Sequence, residues 1–144
     1  MEFINEIRHF VGNHPILSIS WAVLLIMVIN LTLRTKLSKV KIVTNGQAIQ
    51  LINNENAIVV DVRSNDDFKR GHITDSYNIL PIDIQNGSIK AIEKFKDNPI
   101  IVVTDIGAAL RSGDKLIKAG FSHVYTLTDG ITGWNSENLP LVRK

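Results

Sequence analysis

The chain has 144 residues, room for one domain and an appendage, and contains no cysteine. Disulfides, thiolate catalysis, persulfides and Cys-based metal sites are therefore excluded for the chain acting alone. The formal charge of +2 is unevenly placed: residues 1–45 carry five basic against two acidic side chains, and the remainder eleven against twelve. A basic segment beside a near-neutral remainder argues against a nucleic-acid-binding domain, whose positive stripe would lie on the fold itself.

From the N-terminus, a short segment (residues 1–14) precedes "PILSISWAVLLIMVINLTL", nineteen residues without a charge from Pro15 to Leu33. As a helix this stretch is about 28 Å long, the hydrocarbon thickness of a bilayer. Only Ser18, Ser20, Asn30 and Thr32 interrupt it, so the polar face of a core helix is missing. A cleaved signal peptide would need a basic start and a small-x-small site, and "MEFINEIR" and "LTLRTK" supply neither. An uncleaved anchor is expected. Arg34, Lys36, Lys39 and Lys41 follow it without an acid between, which places the C-terminal part in the cytoplasm and the N-terminus outside. The same four residues could hold anionic lipid headgroups at about 1 kcal/mol each, or serve topology alone. Asn30 could bond another helix, a contact worth about 0.6 kcal/mol. Residues 34–43 read as a basic juxtamembrane linker, and residues 44–144 as a compact domain.

Within that domain, Thr44 and Gln47 have capping-box spacing ahead of a helix with Ala48, Leu51 and Ile52 on one face. "AIVVDVR" (57–63) is an apolar strand and "NDDFKRG" a short helix closed by Gly71. "GHITDSYNIL" holds a brief strand, and Ser88 caps a helix with Ile89, Ile92 and Phe95 as its buried stripe. "PIIVVT" (99–104) is a second apolar strand, followed by a loop and a helix ending at "KAGF". "HVYTL" is a third strand, and "DGITGWN" turns into a last short helix. Continuous apolar strands alternating with helices indicate an α/β fold with a mostly parallel sheet covered on both faces.

Strung together, "VVDVR", "DDF", "GHITDSYNI", "IIVVT", the loop and helix to "KAGF", "VYTLTDGITGW" and "NLPL" resemble the rhodanese-like domains over about a hundred residues. With its anchor, the chain is similar to the small membrane-bound, single-domain members of bacteria. The resemblance implies a three-layer α/β domain behind one transmembrane helix, at the bacterial cytoplasmic (inner) membrane. It also implies a catalytic Cys after the central strand, in a loop whose amides face the sulfur and bind an anionic donor.

Here either Thr104 or Asp105 stands at that position, and neither carries sulfane sulfur. The rest of the loop, Ile106, Gly107, Ala108, Ala109 and Leu110, lacks the usual polar and basic groups. Asp105 is expected to cap the following helix and to repel an incoming anion, with Ile106 and Leu110 filling the pocket. Thr104 has no His in its segment to serve as a base, and no second acid stands two residues after Asp105 or Asp61, so catalysis by another nucleophile is not expected.

The remaining motif residues carry structural expectations. Asp61 accepts amide bonds at a strand end, Arg63 pairs with Asp66 or Asp67, and His72 is a hydrogen-bonded structural residue. Gly71 closes a helix, and Gly130 and Trp134 serve turn and packing. His9, His14, His72 and His123 lack ligand spacing, so no metal and no cofactor is expected. The function this implies is a membrane-tethered, catalytically inactive domain that binds a protein partner, in a setting such as membrane-protein biogenesis or quality control. The alternative is non-catalytic binding of a sulfur-containing or other small anion.

Overall fold

The structure, a computed structural model, describes residues 1–104 and 108–143, with Arg34 and Thr35 described by backbone alone. It divides into two compact units, Met1–Leu37 and Ser38–Lys144. The first holds α1 (Glu2–Asn13), in a segment given no element from the sequence, and α2 (Pro15–Leu37). His14 breaks the helix between them at φ −131° and ψ 63°, and Pro15 opens α2 where a missing N–H costs nothing. The uncharged part of α2, Pro15–Leu33, is long and apolar enough to cross a membrane. Ser18, Ser20 and Thr32 turn their hydroxyls back onto the carbonyls of His14, Ile16 and Val28, at 2.8–3.0 Å.

The second unit runs β1 (Lys41–Val43), α3 (Asn45–Glu55), β2 (Ile58–Asp61), α4 (Asn65–Arg70), β3 (His72–Ile73), β4 (Tyr77–Asn78) and α5 (Pro81–Asn86). β5 (Ile100–Val103), α6 (Ala109–Lys118), β6 (Val124–Leu127), α7 (Gly130–Ser136) and β7 (Leu141–Val142) complete it. Five strands form a parallel sheet in the order β1-β6-β5-β2-β4, and β3 pairs antiparallel with β7. The sheet is apolar on both faces because both are covered. Along β5, Ile100 and Val102 enter one core with Leu116 and Phe121, while Ile101 and Val103 enter the other with Ala48, Leu127 and Trp134.

The capping box at the start of α3 forms as the spacing predicts: Gln47 N–H reaches Thr44 Oγ1 at 3.3 Å, and Gln47 Oε1 accepts from Thr44 N–H at 2.9 Å. Two expectations are corrected. Lys41–Val43 belongs to the sheet rather than to the linker, because it finds a parallel partner in β6, with Ile42 opposite Thr126. No α-helix begins at Ser88. Gly87 ends α5 in the left-handed region at φ +78°, and residues 88–98 make successive three-residue turns: Ile92 N–H to Ile89 carbonyl at 3.1 Å, Phe95 N–H to Ile92 carbonyl at 2.9 Å. The spacing of Ile89, Ile92 and Phe95 is three residues, which matches a 3₁₀ turn and not the 3.6 of an α-helix.

Candidate functional site

The order of the strands determines where a ligand would find an opening. β2 leads the chain to β4 on one side, whereas β5, its other neighbour, leads to β6 on the opposite side. Loops leaving two adjacent parallel strands in opposite directions open a crevice beyond their carboxyl ends. Asp61 and Val103 face each other in register at that edge, and the next residue after Val103 is Thr104.

Thr104 is half-buried, and its carbonyl accepts from Ile131 N–H at 3.0 Å, tying the end of β5 to the start of α7. No side-chain base hydrogen-bonds it among the described residues. Asp105, Ile106 and Gly107 lie outside the described residues, and with them the expected helix cap and part of the expected filling of the pocket. Beyond them Ala108 is the exposed N-cap of α6 and has no side-chain acceptor; Ala109 is buried, and Leu110 packs against the core on the Ile100 side.

On the β2 side the site is built around a buried ion pair. Asp61 is 1% exposed and Arg63 8%. Arg63 donates from Nε to Oδ1 and Oδ2 at 3.0 and 3.2 Å, and from Nη2 to Oδ2 at 2.7 Å. Its backbone N–H adds a 3.0 Å bond to Oδ1, and Nη2 also reaches the Gly71 carbonyl at 2.7 Å. The expectation that Arg63 pairs with Asp66 or Asp67 is thus corrected. Residues 61 and 63 share one face of an extended segment, and Asp67 is held instead by Ser64 Oγ at 2.7 Å and by Arg70 at 3.3 Å. Asn78, which sequence reasoning did not single out, braces this corner by donating from Nδ2 to the carbonyls of Asp61 and Arg63 at 3.1 and 2.9 Å.

The other motif residues are distributed around this frame. His72 is buried, stacks on Phe68 with ring centroids 3.7 Å apart, and meets the Phe68 carbonyl through Nδ1 at 2.7 Å. Gly71 ends α4 in extended backbone at φ 167°, and its Nη2-bonded carbonyl links the α4 corner to Arg63. Gly130 takes φ +58° at the start of α7, a conformation disfavoured for a residue with a Cβ. Trp134 is buried in the second core and donates from Nε1 to the Pro140 carbonyl at 3.2 Å. Lys36, Lys39 and Lys41 are exposed; the Arg34 side chain is outside the described residues. Asn30 is exposed on α2.

Chemically, the described part of the crevice offers a charge-compensated Asp61–Arg63 pair and a hydroxyl without a base. Among the described residues no group of three or more His, Asp or Glu side chains could hold a metal ion.

Comparison with known proteins agrees with this fold. The model of the rhodanese-like domain matches residues 44–137. An uncharacterised protein of Escherichia coli K12, YibN, is 49% identical over 141 residues, covering 97% of this chain and 99% of its own. The thiosulfate sulfurtransferase GlpE of Pseudoalteromonas translucida is 28% identical over 97 residues, 67% of this chain and 90% of that protein. Among solved structures, a thiosulfate sulfurtransferase from Pseudomonas aeruginosa superposes with a TM-score of 0.63 at 26% identity, covering 73% of this chain and 20% of that one.

Proposed function

The chain belongs to the rhodanese-like domain family, and from that premise we propose that it is a tethered binding module in which the fold serves recognition instead of sulfur transfer. One observation carries the reading: the chain has no cysteine, and Thr104 is the residue that follows the central strand, Ile100–Val103. Sulfur transfer in this fold needs a thiolate that can accept and release sulfane sulfur, and neither a hydroxyl nor a carboxylate does so. The buried Asp61–Arg63 pair supports the same reading, since Nε and Nη2 of the cation beside the crevice are committed to Asp61 and the Gly71 carbonyl.

In this reading residues 15–33 cross the cytoplasmic membrane of a bacterium with the N-terminus outside, and residues 44–144 bind a protein on the cytoplasmic face. Arg34, Lys36, Lys39 and Lys41 set that orientation by their positive charge. Tethering raises the local concentration of the domain around other membrane components, so a modest affinity suffices. Assistance to membrane-protein biogenesis or quality control is the setting that such a location suits.

A second reading is favoured by Ala108: a helix whose N-cap lacks an acceptor side chain suits a small bound anion. Calorimetry of the full chain with thiosulfate and sulfite separates the two. No measurable heat of binding agrees with the protein-binding reading, and saturable binding replaces it with anion capture without turnover. Thiocyanate formation above background from thiosulfate and cyanide would overturn both.

A further inference from the structure

The segment before the candidate span is a helix with a sorted surface. At 3.6 residues per turn, Phe3, Ile4, Ile7, Phe10 and Val11 of α1 fall within an arc of about 120°. Every one of them is exposed, and no residue of α1 is buried. Glu2, Asn5, Glu6, Arg8, His9, Gly12 and Asn13 take the opposite side. A helix of 12 residues with nothing buried is marginal in water, so an apolar stripe this clean calls for a surface to cover it.

The occupant follows from what lies one residue away. α1 ends at Asn13 and the uncharged helix begins at Pro15, with His14 breaking the axis between them. A membrane crossed by Pro15–Leu33 therefore brings its surface to the C-terminal end of α1. The stripe contains no small residue to let a second helix approach closely, as the one glycine of α1 is on the polar side. Its charged side chains are two acids, Glu2 and Glu6, against one base, Arg8, so its attraction to a surface is apolar and not electrostatic.

We propose that α1 is an interfacial helix whose Phe3–Ile4–Ile7–Phe10–Val11 stripe is buried at the headgroup–acyl boundary of the lipid surrounding the entry of α2. This rests on the reading of α2 as a membrane span. The helix fixes the depth and rotation of α2, which a span with apolar residues on every side cannot do by itself.

The absence of native cysteine makes the test direct. Single variants Ile7→Cys, Phe10→Cys, Asn5→Cys, His9→Cys and Leu24→Cys of the full chain are labelled with an environment-sensitive fluorophore. They are reconstituted in phosphatidylcholine vesicles and in phosphatidylethanolamine/phosphatidylglycerol vesicles. Iodide is expected to quench the labels at residues 7 and 10 several-fold less than those at 5 and 9, equally in both vesicles, with quenching by shallow lipid-bound nitroxides. A label at 24 quenched by deep nitroxides verifies the span. If the label at 24 is open to iodide, the span reading fails. If 24 is protected but 7 and 10 quench like 5 and 9, the interfacial helix fails while the span stands. Protection at 7 and 10 that disappears as lipid is raised over protein also overturns the proposal, in favour of a second copy of α1.

Discussion

Replacing Arg63 by Met tests the energetic centre of the crevice. The substitution keeps most of the apolar stem but removes three bonds to a carboxylate that is 1% exposed and one to the Gly71 carbonyl. Asp61 would keep the bond from the Arg63 backbone N–H, so a nearly unpaired charge would stay buried. Breaking such a pair from one side costs about 3–5 kcal/mol, against about 5–15 kcal/mol for the stability of a whole domain. The Arg63→Met, Asp61→Asn double variant removes the orphaned charge and is expected to recover about half of the loss. Urea titration of the full chain in detergent, followed by near-ultraviolet circular dichroism, measures both variants against the unsubstituted chain. A loss under about 1 kcal/mol for Arg63→Met would refute the argument, because it is the value of an exposed pair.

Gly113→Ala on α6 is expected to destabilise by about 1–3 kcal/mol, because its Cβ would lie 2.6 Å from Val40 Cγ2; Val40→Ala in the same chain should restore part of this in the urea midpoint. Thr44→Ala removes the hydroxyl that caps α3 and should cost about 1 kcal/mol by the same titration. Trp134→Phe keeps the ring in the second core and loses the bond to the Pro140 carbonyl, a loss of about 1 kcal/mol. Asn78→Ala strips the brace from the Asp61 and Arg63 carbonyls and should cost about 1–3 kcal/mol, with its effect non-additive with Arg63→Met because the two share that corner.

What the sequence made legible was what local pattern determines. β2 and β5 stood out because burial on both faces demands continuous apolar residues, and the Thr44–Gln47 box announced α3 before any contact was known. β1 was hidden because a three-residue strand in a basic stretch exists only through pairing with Tyr125–Leu127, far along the chain. The helix expected after Ser88 was a misreading of period: three-residue spacing buries Ile89 and Ile92 in 3₁₀ turns as well as four-residue spacing would in an α-helix. At the site, Thr104 could be placed from the strand end, but the partner of Arg63 could not. The acids of α4 looked close in sequence, while the i, i+2 relation of Asp61 and Arg63 was the signal that mattered. Asn78 was invisible for a different reason: its role is to join the backbone carbonyls of Asp61, at the end of β2, and Arg63, just beyond it, which no local spacing shows.

The measurement that bears most directly on the tethered binding module is site-specific photocrosslinking in native membranes. The full chain is compared with its segment 1–43, each carrying crosslinkers at matched positions, and with the full chain probed around Thr104 and Ala108. The account predicts crosslinked protein adducts that require residues 44–144 and that concentrate at the crevice positions. Adducts identical for the full chain and the segment, or none above the segment's background, would contradict it.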